Sequence, residues 1–139
     1  ENIETLNDNN AMLANINPYI LNVFLIALFA AIQIAVFTTC TNKIREIMSG
    51  TGGSRLKLQL LENEDNLFDM GLYIGIAGTA LTLAAKLLME TDAINLSAAY
   101  ASNIFGILCV ALVKIKHLRP SRESLIRDDE GGTDSLGTA

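Results

Sequence analysis

The residues of this chain that could do chemistry lie within apolar segments, where they supply hydroxyl groups, an amide and a positive charge. Thr79, Thr82 and Lys86 follow one another at steps of three and four residues, so a helix places them on one face. Ser102 and Asn103 supply polar groups in the next apolar segment. Such groups can line a polar passage for an ion, with Thr79 and Ser102 at similar depth and Lys86 at its outer mouth.

Small residues accompany these polar groups and support a second interpretation, helix packing. They form one stripe in each of the two segments: Gly71, Gly75 and Gly78, then Ala98 and Gly106. Small side chains let two backbones approach closely, which is a main source of helix association in lipid. A threonine hydroxyl commonly bonds to the carbonyl one turn earlier, and a lysine near a helix end can reach the interface. Taken alone, the stripe favours packing over transport.

Carboxylates are missing where proton transport would need them. Asp69 stands close to the expected inner boundary, and no Asp, Glu, His or Arg occurs deep in an apolar segment. A protein that moves protons by itself needs an ionisable group at membrane depth. If this chain conducts protons, a partner must therefore supply the carboxylate.

Enzyme chemistry, metal binding and cofactor binding are not predicted. The glycine-rich SGTGGS motif (residues 49–54) lacks the lysine and the preceding strand of a phosphate-binding loop. Cys40 and Cys109 have no metal-type ligand nearby in the sequence and are expected to act as small apolar side chains. We therefore predict a protein with no catalytic residues, metal or cofactor, and none of its features indicates a nucleic-acid partner.

Three apolar blocks must position the polar groups. Residues 18–40 carry no charge, residues 67–89 carry only Asp69 and Lys86, and residues 96–114 carry only a terminal lysine. At about 1.5 Å of rise per residue, each block can cross a hydrocarbon core of about 30 Å. The sequence predicts an all-α polytopic membrane protein with three transmembrane helices that extend into the cytoplasm.

Charges outside the three blocks alternate along the chain. Lysine and arginine are absent from residues 1–17 and 90–95 but present in 41–66 and 115–127. The positive-inside rule then predicts an extracytoplasmic N-terminal segment, a short cytoplasmic loop with helical extensions, an outer turn and a basic cytoplasmic helix end. The predicted orientation is N-out and C-in.

The C-terminal region is predicted to leave the helical pattern. Pro120 is expected to end the third helix or its cytoplasmic continuation, because proline lacks an N–H and its ring clashes with the preceding turn. Residues 128–139 are acidic, rich in glycine and poor in large apolar groups. That composition is typical of a disordered tail.

The second and third blocks resemble the MotA/TolQ/ExbB family of proton-channel subunits. GLYIGIAGTALTL is similar to the family's G-L-x-G-T signature, and AAYASNIFGILCVALVKI resembles its small-residue and Ser/Thr segment with a following aromatic-glycine pair. The match places Thr79 and Ser102 at the family's hydroxyl positions. The three-span, N-out and C-in topology agrees with ExbB and TolQ.

The resemblance implies a homopentamer in the bacterial inner membrane around two copies of a single-span partner like ExbD, TolR or MotB. The partner's membrane aspartate would carry the proton, and the hydroxyl-lined inner wall of the ring would supply polar contacts. Proton flow would then turn one component relative to the other and deliver force to a client. The loop at 41–66 is shorter than is usual in this family, which speaks against a large cytoplasmic domain.

Two other functions fit the same pattern. A holin-like permeabilising protein also assembles through small-residue faces, and it would be a self-sufficient homo-oligomer. A structural subunit of a larger membrane complex would use the stripe as a docking face. An ion-driven motor subunit differs from both because it should purify together with a single-span partner.

Overall fold

The computed structural model describes residues 17–88 and 94–134, and the regular structure within them is helical. The elements in chain order are α1 (Pro18–Ser49), α2 (Ser54–Asn63), α3 (Asp65–Phe68), α4 (Met70–Leu88), α5 (Leu96–Leu112), a π-helical segment (Val113–Leu118) and α6 (Arg119–Asp134). Three helices are long and apolar enough to cross a membrane: α1, α4 and the continuous helix that begins with α5. The prediction of an all-helical chain with three candidate spans is confirmed.

Helix α1 is longer than a bilayer requires. It begins where the Asn17 side chain accepts a hydrogen bond from the backbone N–H of Tyr19, with Pro18 in the first turn, where a missing N–H is harmless. Its 32 residues extend over about 48 Å, so its polar last third projects beyond the apolar part. The chain then turns through the glycine-rich joint, and Lys57 Nζ donates to the Met48 carbonyl at 2.7 Å.

The outer surface of the three long helices is apolar. Large side chains such as Val23, Phe24 and Leu28 on α1 and Ile104 and Ile107 on α5 are exposed in the isolated chain. A contiguous apolar surface of this extent is unfavourable in water and suits contact with acyl chains. The exposed residues therefore agree with a membrane-spanning protein.

The main hydrophobic core lies at the end of the bundle that carries the basic residues. There α2, α3 and α6 pack against the membrane helices around one cluster of buried side chains: Val36, Cys40, Ile44, Ile47, Leu61, Phe68, Cys109, Val113, Leu118 and Leu125. Lys114 Nζ lies 2.8 Å from Asp69 Oδ1, and Arg122 Nη2 lies 3.5 Å from Asp65 Oδ1. These ion pairs join the third membrane helix and α6 to the start of the second.

The third helix continues through Pro120, so the expectation that this proline ends it was wrong. The π-helical segment ends directly before α6, whose second residue is Pro120. A π-helical turn is wider than an α-helical one, so it leaves room for the proline ring beside the preceding turn, and the chain stays helical although one N–H is missing. Leu125, which is buried in the core, then holds α6 against the bundle.

The predicted segments at the chain ends are described only in part. Helix α6 continues to Asp134, so residues 128–134 are helical where the sequence predicts the start of a disordered tail. Residues 1–16, 89–93 and 135–139 lie outside the described residues. They include most of the N-terminal segment, most of the outer turn and the last part of the tail.

Candidate functional site

The small-residue stripe of α4 faces α5 of the same chain. Gly71, Gly75 and Gly78 are all buried, as are Ser102 and Gly106 opposite them. A Cβ atom on Gly106 would lie 2.5 Å from the Gly71 carbonyl oxygen, and one on Gly75 would lie 3.0 Å from the Ser102 carbonyl oxygen. A Cβ on Gly78 would collide with the Ser102 hydroxyl. Only glycine allows the two backbones to approach this closely.

The hydroxyl groups of the stripe bond to backbone carbonyls in this interface. Thr79 Oγ1 lies 3.0 Å from the Gly75 carbonyl oxygen on its own helix and 2.9 Å from the Ala99 carbonyl oxygen on α5. Ser102 Oγ donates in the opposite direction, to the Gly75 carbonyl at 3.3 Å. Thr82 Oγ1 donates to the Gly78 carbonyl at 2.7 Å, within α4. Thr79 and Ser102 therefore tie the two helices together at one level.

Asn103 places its amide oxygen inside the protein. Its Oδ1 is enclosed, and the described residues offer it no donor. The Asn103 Cα would lie 3.3 Å from a Cβ on Gly75, whose carbonyl Thr79 uses. Phe105, two residues further on, lines a groove between α5 and α1. Residues two apart on a helix point in roughly opposite directions, so Asn103 lies on the side of α5 away from α1.

Lys86 lies at the far end of α4, beside the start of α5. Its Nζ donates to the Ile94 carbonyl at 3.0 Å. It borders a cleft of about 560 Å³ that is also lined by Asn22 of α1 and by Asn95. Asn22 Oδ1 accepts a hydrogen bond from the Asn95 backbone N–H at 2.8 Å, which fastens α1 to this end of the pair. The Lys86 ammonium thus lies near the end of α4 and donates to a backbone carbonyl of its own chain.

Gln33 is a polar group of the interior that the sequence reasoning missed. It is only 5% exposed, and its Nε2 donates to the Gly71 carbonyl at 2.9 Å, so it joins α1 to α4. Cys109 Sγ donates to the Gln33 carbonyl at 3.6 Å and adds α5 to this contact. Gln33 Oε1 has no donor among the described residues. The available signal was one amide in the middle of the otherwise apolar run FLIALFAAIQIAVF.

Replacing Gln33 by leucine is expected to change stability by less than about 1 kcal/mol. The variant loses the bond from Nε2 to Gly71, but it also removes the buried Oε1 that has no donor, and these two effects oppose each other. The midpoint of thermal unfolding in detergent would measure the change, with Ile32→Leu, at an exposed position on the same helix, as control. A large drop in the midpoint would contradict this expectation.

The sequence and the fold were both compared with known proteins. No family model, curated protein or solved structure matches it. The resemblance to the MotA/TolQ/ExbB family therefore stays a prediction that depends on the residues quoted for it. The functional proposal below therefore depends on the contacts between α4 and α5.

The structure brings some of the predicted site residues together and separates others. Thr79 and Ser102 meet at the Gly75 carbonyl, and Asn103 lies beside the same glycine. In the part of the chain that the structure describes, Thr82 is buried and bonds within its own helix, while Lys86 lies two turns beyond Thr79. The polar groups of the interface form one compact level rather than a continuous row. Chemically, these hydroxyl–carbonyl bonds hold α4 and α5 together.

Proposed function

We propose that this chain is the ring-forming subunit of an ion-driven, energy-transducing complex of the bacterial inner membrane. In this proposal a homopentamer with N-out and C-in topology surrounds a single-span partner that carries the proton-accepting aspartate. Two features of the chain support a complex in which this chain forms the ring and the partner carries the proton. Its apolar segments lack deep carboxylates, and its three helices form a unit whose outer surface is apolar.

The observation on which the proposal depends most is the enclosed amide oxygen of Asn103. A polar oxygen that is removed from water and lacks a donor costs free energy, and the bilayer core supplies no water to satisfy it. Asn103 lies on the side of α5 away from α1, where a neighbouring chain can approach. The oxygen is enclosed within the isolated chain, so a donor from a second copy or from a single-span partner would satisfy it once the Asn103 side chain turns outward on assembly.

In the proposed complex, Thr79 and Asn103 contribute to the inner wall of the ring. Thr79 is half-buried, and one hydroxyl proton serves two possible acceptors, so a rearrangement of this bond costs little. Ser102 and Thr82 are fully enclosed in the interface and act as packing residues. Helix α1 then lies on the lipid side, because it covers the opposite side of the α4–α5 pair.

A structural subunit of a larger membrane complex is the second candidate. It is favoured by the intramolecular burial of Gly71, Gly75, Gly78 and Gly106, which already have their packing partner within one chain. Such a subunit needs neither a polar passage nor a guest helix. Its exposed apolar surface alone would dock it to neighbouring subunits.

Counting the chains in the complex tests the proposal. The full chain would be extracted with its membrane neighbours in a mild detergent, and the intact assembly would be weighed by native mass spectrometry. We expect five copies together with two copies of a single-span protein that has an aspartate in its membrane helix. Asn103→Leu should lower the yield of this assembly, whereas Leu108→Ala, on the exposed side of α5, should leave it unchanged.

Three other results would each contradict the proposal. A ring of another size without a guest would identify a holin-like homo-oligomer. A fixed place beside several larger membrane proteins would identify the structural subunit. A chain that stays monomeric in every mild detergent would exclude a ring altogether.

A further inference from the structure

A basic cleft lies directly beyond the third membrane span. It has a volume of about 400 Å³ and is bordered by the π-helical segment, α6 and the start of α3. Its charged lining consists of Lys114, Arg119 and Arg122, with the carboxylates of Asp65 and Glu123. The stretch 114–127 contains five lysine and arginine residues, one histidine and one carboxylate. The cleft therefore lies in the most positive part of this helix.

Two of the positive groups around the cleft have a close carboxylate, whereas Arg122 does not. Arg119 Nε lies 3.0 Å from Glu123 Oε1, and Lys114 Nζ lies 2.8 Å from Asp69 Oδ1. A single oxygen, Asp65 Oδ1, lies 3.5 Å from Arg122 Nη2 and 3.8 Å from Lys114 Nζ, so it serves two cations at long distance. Arg122 Nε is enclosed and has no acceptor among the described residues. The Arg122 side chain remains about one-third exposed. A further anion would thus meet a guanidinium with unused hydrogen-bonding capacity.

The depth of the cleft matches that of a phospholipid phosphate. Lys114 lies 18 positions after the start of α5, or roughly 27 Å along the axis at the rise of an α-helix. The hydrocarbon core is about 30 Å thick, so Lys114 stands near its boundary. Arg119 and Arg122 follow at the level of the lipid headgroups. Basic groups at this level attract anionic lipids on either side of a membrane.

An apolar strip leads from the cleft back along α5. Ile115 lines the cleft and is 69% exposed. Ile104, Ile107 and Leu108 are exposed at helical spacing above it. An acyl chain can lie along this strip while its headgroup enters the cleft. Free inorganic phosphate would make no use of the strip.

We propose that this cleft binds the phosphate of an anionic phospholipid, with Arg122 and Arg119 as its ligands and Ile115 under the first part of the acyl chain. The bound lipid supplies the acceptor that Arg122 Nε lacks. It also fixes the π-helical segment at the membrane surface. This inference does not depend on the proposed ring or on its ion.

Native mass spectrometry of the delipidated chain in detergent tests the site. Titration with phosphatidylglycerol should give binding at least about ten-fold tighter than titration with phosphatidylcholine. Arg122→Gln and Arg119→Gln should each weaken phosphatidylglycerol binding about five-fold. Arg127→Gln removes the same charge from an exposed position outside the cleft and should change the binding less than about two-fold.

Several outcomes would overturn the inference. Equal affinity for the two lipids, or an equal loss in Arg127→Gln, would show general charge attraction without a site. Displacement of the lipid by millimolar inorganic phosphate would show a phosphate site with no role for the acyl chain. If Arg122→Gln fails to fold because Asp65 loses its partner, the double variant Asp65→Asn with Arg122→Gln removes both charges, and retained lipid selectivity there would also reject the site.

Discussion

Replacing Gly106 by alanine is expected to push the second and third membrane helices apart. The added methyl group would lie 2.5 Å from the Gly71 carbonyl oxygen, and this backbone atom cannot move aside as a flexible side chain can. Forced overpacking of this kind costs about 1–3 kcal/mol, and Gly106→Val should cost more. Because Cys40 and Cys109 are the only thiols of the chain and both are buried, a thiol-reactive dye would report the fall in the unfolding midpoint.

Gly131→Ala is the matched control for this substitution. A Cβ on Gly131 meets nothing within 4 Å, and alanine favours the helical conformation over glycine. The control should therefore keep or slightly raise the midpoint. If Gly106→Ala behaved like Gly131→Ala, the close contact between α4 and α5 would be refuted.

Thr79→Val is expected to lower ion-coupled activity while the assembly of the complex stays intact. Valine has nearly the shape of threonine, and the lost hydrogen bond to Ala99 is worth about 0.6 kcal/mol between membrane helices, so the fold should persist. If Thr79 lines the ion path of the proposed complex, ion-coupled activity should fall at least about ten-fold, because a hydroxyl contact is replaced by a methyl group. Ion flux into proteoliposomes that hold the complete complex would measure the loss.

Thr38→Val provides the control for Thr79→Val. Thr38 is exposed on α1, and its hydroxyl bonds only to the Ile34 carbonyl of the same helix in the structure. Its replacement should leave both flux and copy number unchanged. A parallel loss of assembly and flux in Thr79→Val would instead support a purely structural interface.

The three membrane helices could be predicted from sequence because lipid imposes a simple requirement. An uncharged run long enough to cross the bilayer has few alternatives to a helix, and the blocks around Phe29, Gly75 and Gly106 satisfy it. A helix-packing role for the small residues of α4 and α5 could also be predicted, because glycine and serine at steps of four let another backbone approach closely. Both predictions depend on local patterns.

Other features could not be read from local patterns. The same small residues suit a ring interior and a neighbouring helix, and only the fold shows that Gly71 and Gly106 face each other within one chain. The burial of Gln33 could not be predicted, because the burial of a single amide depends on which helices surround it. Pro120 does not end the helix, because the effect of a proline depends on whether the turn before it can widen, and the sequence does not show this.

The asymmetric distribution of the core has a mechanical consequence. Among the described residues, the large buried cluster lies at one end of the helix bundle, while near the opposite end the contacts of α1 include the hydrogen bond from the Asn95 backbone N–H to Asn22 Oδ1. A force applied to that opposite end would first separate α1 from the other helices there, while the buried cluster at the basic end would hold the helices together. Such a force would displace α1 before it separated α4 from α5, whose backbones are in close contact at Gly75 and Gly106.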